Sequence, residues 1–173
     1  MIKKSVQDAI NKQINAEIYS SYMYYSMAFW FESQNLAGFA HWMRIQALEE
    51  LMHAQKFAGF VTERGGRVLM AAVDKPPTEW KSPLHCVEEV YKHECKVTAL
   101  INGLMDLALK EKDHASVSFF NWFIDEQVEE EAGADAIVQK LKLMKDHNGG
   151  LFMLDRELDA RTFTPLPEIA GAF

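Results

Sequence analysis

The chain has few cysteines and lacks a long apolar run. Its two cysteines, Cys86 and Cys95, stand nine residues apart on one predicted helix, so they cannot pair as a disulfide. We interpret them as reduced, mostly structural thiols. Glu, Gln, Lys or His breaks each of the longest apolar stretches, which excludes a transmembrane span. Residues 1–17 are polar and amphipathic, unlike a secretory signal, and we expect a cytoplasmic protein.

Clusters of basic residues are also absent. The chain has 18 Lys and Arg against 25 Asp and Glu, which gives a net charge of −7. No group of Lys and Arg offers a surface for a nucleic-acid backbone. This charge disfavours nucleic acid and anionic membranes as partners and favours cations.

What the sequence does contain is helical periodicity over most of its length. Apolar residues recur at spacings of three and four, which places them on one helix face. Ser5 is the expected N-cap of the first helix, Gly65-Gly66 ends the second, and Ser82-Pro83 opens the third. The pattern predicts four long helices, at about 5–33, 36–64, 83–110 and 114–145.

The lengths of the links predict an all-α four-helix bundle. The links at 34–35 and 112–113 are short, so each joins an antiparallel pair of helices. Residues 67–81 are long enough to run back along the bundle, which makes the second and third helices parallel and joins them by a long crossover. The 173 residues fit one domain, divided into a bundle at about 5–146, a short fifth helix at about 151–160 and an irregular tail at 161–173.

Polar side chains interrupt the apolar stripe of all four long helices. Carboxylates in a low-dielectric core repel one another and lose hydration, at a cost on the order of several kcal/mol per ion, which a multivalent cation offsets. Oxygen ligands with one imidazole suit iron or manganese. A lone E-x-x-H is a weak signal, but the other helices repeat the interruption at matching depth. The sequence therefore predicts a buried metal site formed by Glu17, Glu50, His53, Glu94, Gln127 and Glu130.

Three further carboxylates lie beside this stripe. Glu126 and Glu129 flank it on the fourth helix, and Glu49 holds the matching position on the second. Two interpretations fit them, a looser third cation site or a solvated acidic face. Glu131 is expected to be exposed.

Tyr24 lies two helical turns after Glu17 on the same inward stripe. A tyrosine there could donate an electron to an oxidised intermediate or a hydrogen bond to a carboxylate ligand. It could equally be a core tyrosine with a satisfied hydroxyl.

Taken together, these motifs resemble those of the non-haem ferritins of bacteria and archaea over essentially the whole chain. The second E-x-x-H of other di-iron bundles is replaced by Gln127-x-x-Glu130, which argues against bacterioferritins and rubrerythrins. The haem-binding methionine of bacterioferritins would fall at Leu51, so we expect no haem. The resemblance rests on Asn15, Glu17, Ser20 and Tyr24, on E-E-x-x-H-A at 49–54, on Glu94 and on D-E-Q-x-E-E at 125–130.

The resemblance implies a di-iron ferroxidase centre and a storage function. It assigns Glu17, Glu50 and His53 to one iron, and Glu94, Gln127 and Glu130 to the other, with Glu50 bridging them. It also implies a third iron site at Glu49, Glu126 and Glu129. The family assembles into a homo-oligomeric shell of 24 subunits that oxidises Fe(II) to Fe(III) with O2 or H2O2 and stores a ferric oxide mineral. Tyr24 joins the candidate catalytic residues.

The alternative is a di-iron peroxidase or oxidase acting on a small organic substrate. That reaction needs a pocket beside the metals, and we expect Tyr24, Phe57 and Phe123 to fill the neighbouring core. A purely structural bundle would not explain carboxylates on four core stripes. Because Gln127 is neutral, we expect a weaker second iron site, suited to passing iron on to the mineral.

Overall fold

Four long helices and one short helix make up the regular secondary structure of residues 1–144 and 149–165, the part of the chain that the computed structural model describes. Within those ranges there is no strand, so the prediction of an all-α fold is confirmed. No helix there combines the length and apolar character needed to cross a membrane. The helices are α1 (Lys4–Ser33), α2 (Ala37–Glu63), α3 (Pro83–Glu111), α4 (His114–Leu143) and α5 (Gly150–Leu158).

The helix ends follow the local sequence signals, with one exception. The Ser82 side chain accepts a hydrogen bond from the His85 N–H, with Pro83 in the first turn of α3, and Gly65 adopts a left-handed φ of 70° after α2. Ser5 is not the N-cap of α1, and that prediction was wrong. The residue before α1 is Lys3, in extended backbone and without a side-chain cap, while the Ser5 hydroxyl donates to Glu111 Oε1 at 2.9 Å.

The C-terminal predictions are close to the structure where it describes them. Helix α5 begins at Gly150, one residue before the expected start, and ends at Leu158, two residues before the expected end. Residues 161–165 contain no helix or strand, as expected of a tail. Helix α4 ends at Leu143, and the expected end near 145 and the tail from 166 to 173 lie outside the described residues.

Contacts at one end of the bundle establish the directions of the helices. The Ile2 N–H donates to the Arg64 carbonyl at 2.9 Å, so the start of α1 meets the end of α2. Arg64 also contacts both carboxylate oxygens of Asp113, at 3.1 and 3.2 Å, which brings the α3–α4 turn to the same end. Helices α2 and α3 therefore end together and are parallel, as predicted.

The crossover between α2 and α3 is held along the surface of α1. Polar α1 side chains replace the backbone hydrogen bonds that this irregular segment cannot make with itself. The spacing of these contacts leads the chain from the start of α1 towards its end. The pairs are Gln7 with the Arg67 N–H (3.0 Å), Asn11 with the Leu69 N–H (3.0 Å), Asn15 with the Ala72 carbonyl (3.1 Å) and Ser26 with the Pro77 carbonyl (2.6 Å).

The apolar core falls into two clusters separated by polar side chains. One cluster, near α5, contains Phe31, Phe39 and Leu154. The other, near the α3–α4 turn, contains Phe57 and Phe120. The polar side chains between the clusters, which we call the polar layer, are Gln13, Glu17, Ser20, Ser21, Gln46, Glu50, His53, Glu94 and Gln127, all buried, together with half-buried Glu130.

Replacing Ser82, the observed N-cap of α3, should destabilise its helix more than replacing Ser5, the expected N-cap of α1, destabilises α1. We expect Ser82→Ala to cost about 1 kcal/mol, because it leaves the His85 N–H without its acceptor. Hydrogen exchange of the first α3 amides should accelerate accordingly. Ser5→Ala is the matched control, since it removes only an exposed side-chain contact; equal protection of α3 in wild type and Ser82→Ala would contradict the assignment.

Candidate metal centre

Three buried side chains from α1 and α2 converge in the polar layer. Glu17, Glu50 and His53 are at most 2% exposed, and each offers one ligand atom such that these atoms all lie within 4.8 Å of one another. Glu17 Oε2, Glu50 Oε2 and His53 Nε2 have no hydrogen-bond partner. A buried polar atom left unpaired costs about 1–3 kcal/mol. Glu50 Oε2 lies 3.5 Å from His53 Nδ1, within the same group. Two carboxylate oxygens and an imidazole nitrogen, none of them hydrogen-bonded, fit a metal ion of borderline hardness such as iron.

Neighbouring side chains hold these groups in place. Gln13, one turn before Glu17, donates to Glu17 Oε1 at 2.9 Å, which leaves the other oxygen unpaired. The His53 ring lies edge-on to Trp122 and Phe123, with centroids 5.6 and 5.8 Å away. The orientation of both groups is therefore set by packing in the protein itself.

The second half of the polar layer comes from α3 and α4, and its groups already have partners. Glu94 is 1% exposed and accepts a hydrogen bond from the Tyr24 hydroxyl. Gln127 Nε2 lies 3.3 Å from Glu94 Oε2. Glu130 is only half-buried and accepts from Gln46 Nε2 at 2.7 Å. The structure thus places all six sequence-predicted residues around one interior region, with Glu130 at its edge.

Burial dominates the electrostatics of this region. It raises the pKa of Glu17, with a further contribution from Glu50. It also raises the pKa of Glu50, where Glu94 and Glu130 add like-charge repulsion from the other half of the site. Burial, followed by repulsion from Glu130, raises the pKa of Glu94 to about 7. These carboxyls favour the protonated state unless a cation is present.

The flanking carboxylates line a cavity of about 430 Å³ between α2, α4 and α5. Glu49 is half-buried, and burial raises its pKa to about 7 despite the opposing charge of Arg161. Arg161 contacts both oxygens of Glu49, at 3.0 and 2.8 Å. Burial also raises the pKa of half-buried Glu126, whereas Glu129 is exposed. The three residues share a cavity, and an arginine is paired with one of them.

Four residues around the site were not identified from the sequence: Gln13, Gln46, Trp122 and Arg161. The two glutamines stand one turn before Glu17 and Glu50, and that spacing was a usable signal. Arg161 lies beyond α5 in a segment without periodicity, so no face could be assigned to it. Glu131, expected to be exposed, is half-buried and accepts a hydrogen bond from the Thr98 hydroxyl at 2.5 Å.

A second cavity, of about 500 Å³, lies between α3 and α4 and reaches Gln127. Tyr91, Thr98 and Glu131 are among its other lining residues. The core next to the site is nevertheless filled by the large side chains expected there, which are all buried: Tyr24, Phe57 and Phe123. The expectation of a crowded site therefore holds for the bundle interior but not for the α3–α4 side.

Comparison with known proteins identifies the family. Residues 7–144 match the model of the ferritin-like domain. The chain is 45% identical to a bacterial non-heme ferritin of Bacteroides fragilis over 161 residues, which cover 93% of this chain and 100% of the relative. It is 39% identical to one from Staphylococcus saprophyticus over 163 residues, 94% of this chain and 98% of that one.

Solved structures agree with this comparison. An engineered closed form of the Archaeoglobus fulgidus ferritin superposes with a TM-score of 0.93 at 52% identity, covering 95% of this chain and 100% of that one. The open-pore ferritin of the same archaeon superposes with a TM-score of 0.92 at 52% identity, covering 94% and 100%. The chain belongs to the ferritin family.

Metal-free protein should become less stable as the pH rises from about 4.5 to above 7. The pKa of Glu94 is about 7 in the fold against an ordinary value of 4.5, so the folded state binds the proton more tightly. That stabilisation is complete below the ordinary value and is lost as the pH rises through the folded value. The pKa values of Glu17 and Glu50 are raised as well and add to the effect.

The thermal midpoint of chelator-treated protein, measured across this pH range, checks this expectation. Saturating Zn²⁺ should remove the decline, because a bound cation favours the charged carboxylates. Glu94→Gln should flatten the slope in the absence of metal. A midpoint of the metal-free protein that is constant or rises with pH would contradict the account.

Proposed function

We propose that this protein is an iron-storage ferritin that oxidises Fe(II) at a di-iron centre and deposits ferric oxide mineral inside a hollow shell. The observation that carries the proposal is the convergence of Glu17, Glu50 and His53 in the bundle interior. Ligand atoms of the three lie within 4.8 Å of one another, and each side chain has one buried atom without a hydrogen-bond partner. Its similarity to non-heme ferritins supports iron as the cation. Iron is here a substrate that passes through the site.

The two halves of the polar layer supply one set of ligands each. Glu17, Glu50 and His53 hold the first iron, and Glu94, Gln127 and Glu130 hold the second. Glu50 bridges them, which fits the influence of both Glu94 and Glu130 on its pKa. The neutral amide of Gln127 binds less firmly than a carboxylate, so iron leaves the second position more readily.

Oxidation uses both positions together. Each Fe(II) gives up one electron, and one O2 takes the two electrons with two protons to become H2O2; a peroxide oxidant takes two electrons and two protons to become water. Carboxylate ligands stabilise Fe(III) over Fe(II), which favours the forward reaction. Because burial raises the pKa of Glu17, Glu50 and Glu94, iron binding displaces protons from the site.

Tyr24 and the flanking carboxylates have secondary roles. The hydrogen bond from the Tyr24 hydroxyl orients Glu94, and the same contact lets the phenol supply an electron to an oxidised intermediate. Glu49, Glu126 and Glu129 form a third, weaker iron site in the cavity beside α5. The half-burial of two of them and the exposure of the third support weaker binding, because solvent screens their charges.

The assembly is a homo-oligomeric shell of 24 chains in the cytoplasm. Large apolar side chains left exposed on the isolated chain fit burial against neighbouring copies, among them Tyr22, Phe29, Phe152 and Met153. Leu51 stands at the position of a haem-binding methionine, so we expect no haem, and we expect no nucleic acid or membrane partner.

A di-iron peroxidase or oxidase acting on a small substrate is the second candidate. The cavity between α3 and α4 favours it, because that cavity reaches Gln127. Storage is distinguished by retention of many irons per chain after Fe(II) is added without oxygen and air is then admitted. Gel filtration separates a shell from a small oligomer.

Glu50→Ala should slow the initial oxidation of Fe(II) by more than the roughly 10–100-fold typical of losing an outer-shell partner of a metal ligand, because it removes the proposed bridge between the two irons. The apo protein should fold and should gain thermal stability, since carboxylate repulsion in the core is relieved. Glu63→Ala, an exposed carboxylate near the end of α2, is the control and should oxidise iron as wild type does. Stopped-flow absorbance measures both; an unchanged rate in Glu50→Ala would refute the assignment.

Replacing both Glu126 and Glu129 by Ala should leave rapid oxidation of the first two irons intact. The double variant should instead change the number of irons oxidised per O2 and the rate at which the site regenerates. Oxygen-electrode stoichiometry and a second addition of Fe(II) measure these quantities. Asp125→Ala, an exposed neighbour, is the control. If the double variant matches wild type in both, these residues are an ordinary acidic face.

A further inference from the structure

The cavity beside α5 contains two cationic side chains among its carboxylates. Lys140 forms an ion pair with Glu157 across the α4–α5 interface. Arg161 is the second, and it contacts Glu49 instead. The carboxylates that line the cavity are Glu49, Glu126, Glu129, Glu130 and Glu157.

The Arg161 guanidinium contacts a carboxylate of the proposed third site directly and a carboxylate of the second iron position through Gln46. One guanidinium nitrogen lies 3.0 and 2.8 Å from the two oxygens of Glu49. The other donates to Gln46 Oε1, and Gln46 Nε2 donates in turn to Glu130 Oε2 at 2.7 Å. A single side chain therefore links a flanking carboxylate directly, and an inward carboxylate through Gln46.

The position of Arg161 is fixed by the docking of α5 on α2. A Cβ on Gly38 would lie only 1.7 Å from the Asp155 carbonyl, so this close approach needs a glycine on α2. The Phe39 N–H donates to Asp155 Oδ1 at 3.0 Å. His41 Nε2 lies 2.8 Å from the Arg161 carbonyl oxygen. The backbone is thus held beside α2, with the guanidinium over Glu49.

We propose that Arg161 is a built-in counter-ion of the third site that competes with a metal ion for Glu49. The inference rests on the proposed function, because iron is the cation concerned. Both oxygens of Glu49 accept a hydrogen bond from the guanidinium, so a metal ion competes with Arg161 for the charge of this carboxylate. Two cations against one carboxylate also repel each other. Arg161 therefore sets the affinity of the third site below that of the other two.

Crystals soaked in graded concentrations of Zn²⁺, which has no redox chemistry, measure this competition. The anomalous peak at Glu49, Glu126 and Glu129 is divided by the peak at Glu17, Glu50 and His53 in the same crystal, which supplies an internal reference. In Arg161→Gln the third position should fill at about tenfold lower Zn²⁺ than in wild type. Arg161→Lys should fall between them, because an ammonium keeps the charge without the forked contact.

Arg156→Gln is the matched control, since Arg156 is exposed on α5 and its loss changes the net charge equally. It should fill as wild type does. The proposal is overturned if Arg161→Gln and Arg156→Gln give the same third-site occupancy at every concentration, or if no variant binds Zn²⁺ at Glu49. A separate Fe(II) oxidation assay on wild type distinguishes the two claims: its failure removes the proposed function, while the Zn²⁺ ratios still decide the role of Arg161.

Discussion

The burial of like-charged carboxyls inside the bundle is the constraint on which the rest of the structure depends. Glu17, Glu50 and Glu94 are each at most 2% exposed, and burial raises the pKa of all three. Without a cation these carboxyls are stable only when partly protonated, so their burial lowers the stability of the metal-free fold. The apolar clusters on either side supply the compensating stability, and the length of the helices makes room for both.

The surrounding hydrogen bonds divide the polar layer into two kinds of site. On the α1–α2 side, ligand atoms are left unpaired, so a cation meets little competition there. On the α3–α4 side, Glu94 and Glu130 already accept hydrogen bonds from Tyr24 and Gln46. Beside α5, Glu49 is fully engaged by Arg161. We expect the affinity for cations to fall in this order.

The sequence revealed the elements whose signals are local or periodic. The stripe spacing placed Glu17, Glu50, His53, Glu94 and Gln127 in the interior, where all five are buried, and Ser82-Pro83 marked the start of α3. Sequence patterns did not predict the contacts between residues that are far apart in the chain. Ser5 is a typical N-cap residue, but its hydroxyl donates a hydrogen bond to Glu111 at the C-terminal end of α3 instead. Arg161 follows no periodic pattern, so only the docking of α5 brings it to Glu49.

A crystal soaked with Fe(II) in the absence of oxygen tests whether the interior carboxylates form a paired iron site. We expect two anomalous iron peaks inside the bundle, one among Glu17, Glu50 and His53 and one among Glu94, Gln127 and Glu130, with the Glu50 carboxylate between them. Iron found only on the outer surface, with the interior peaks absent, would contradict it.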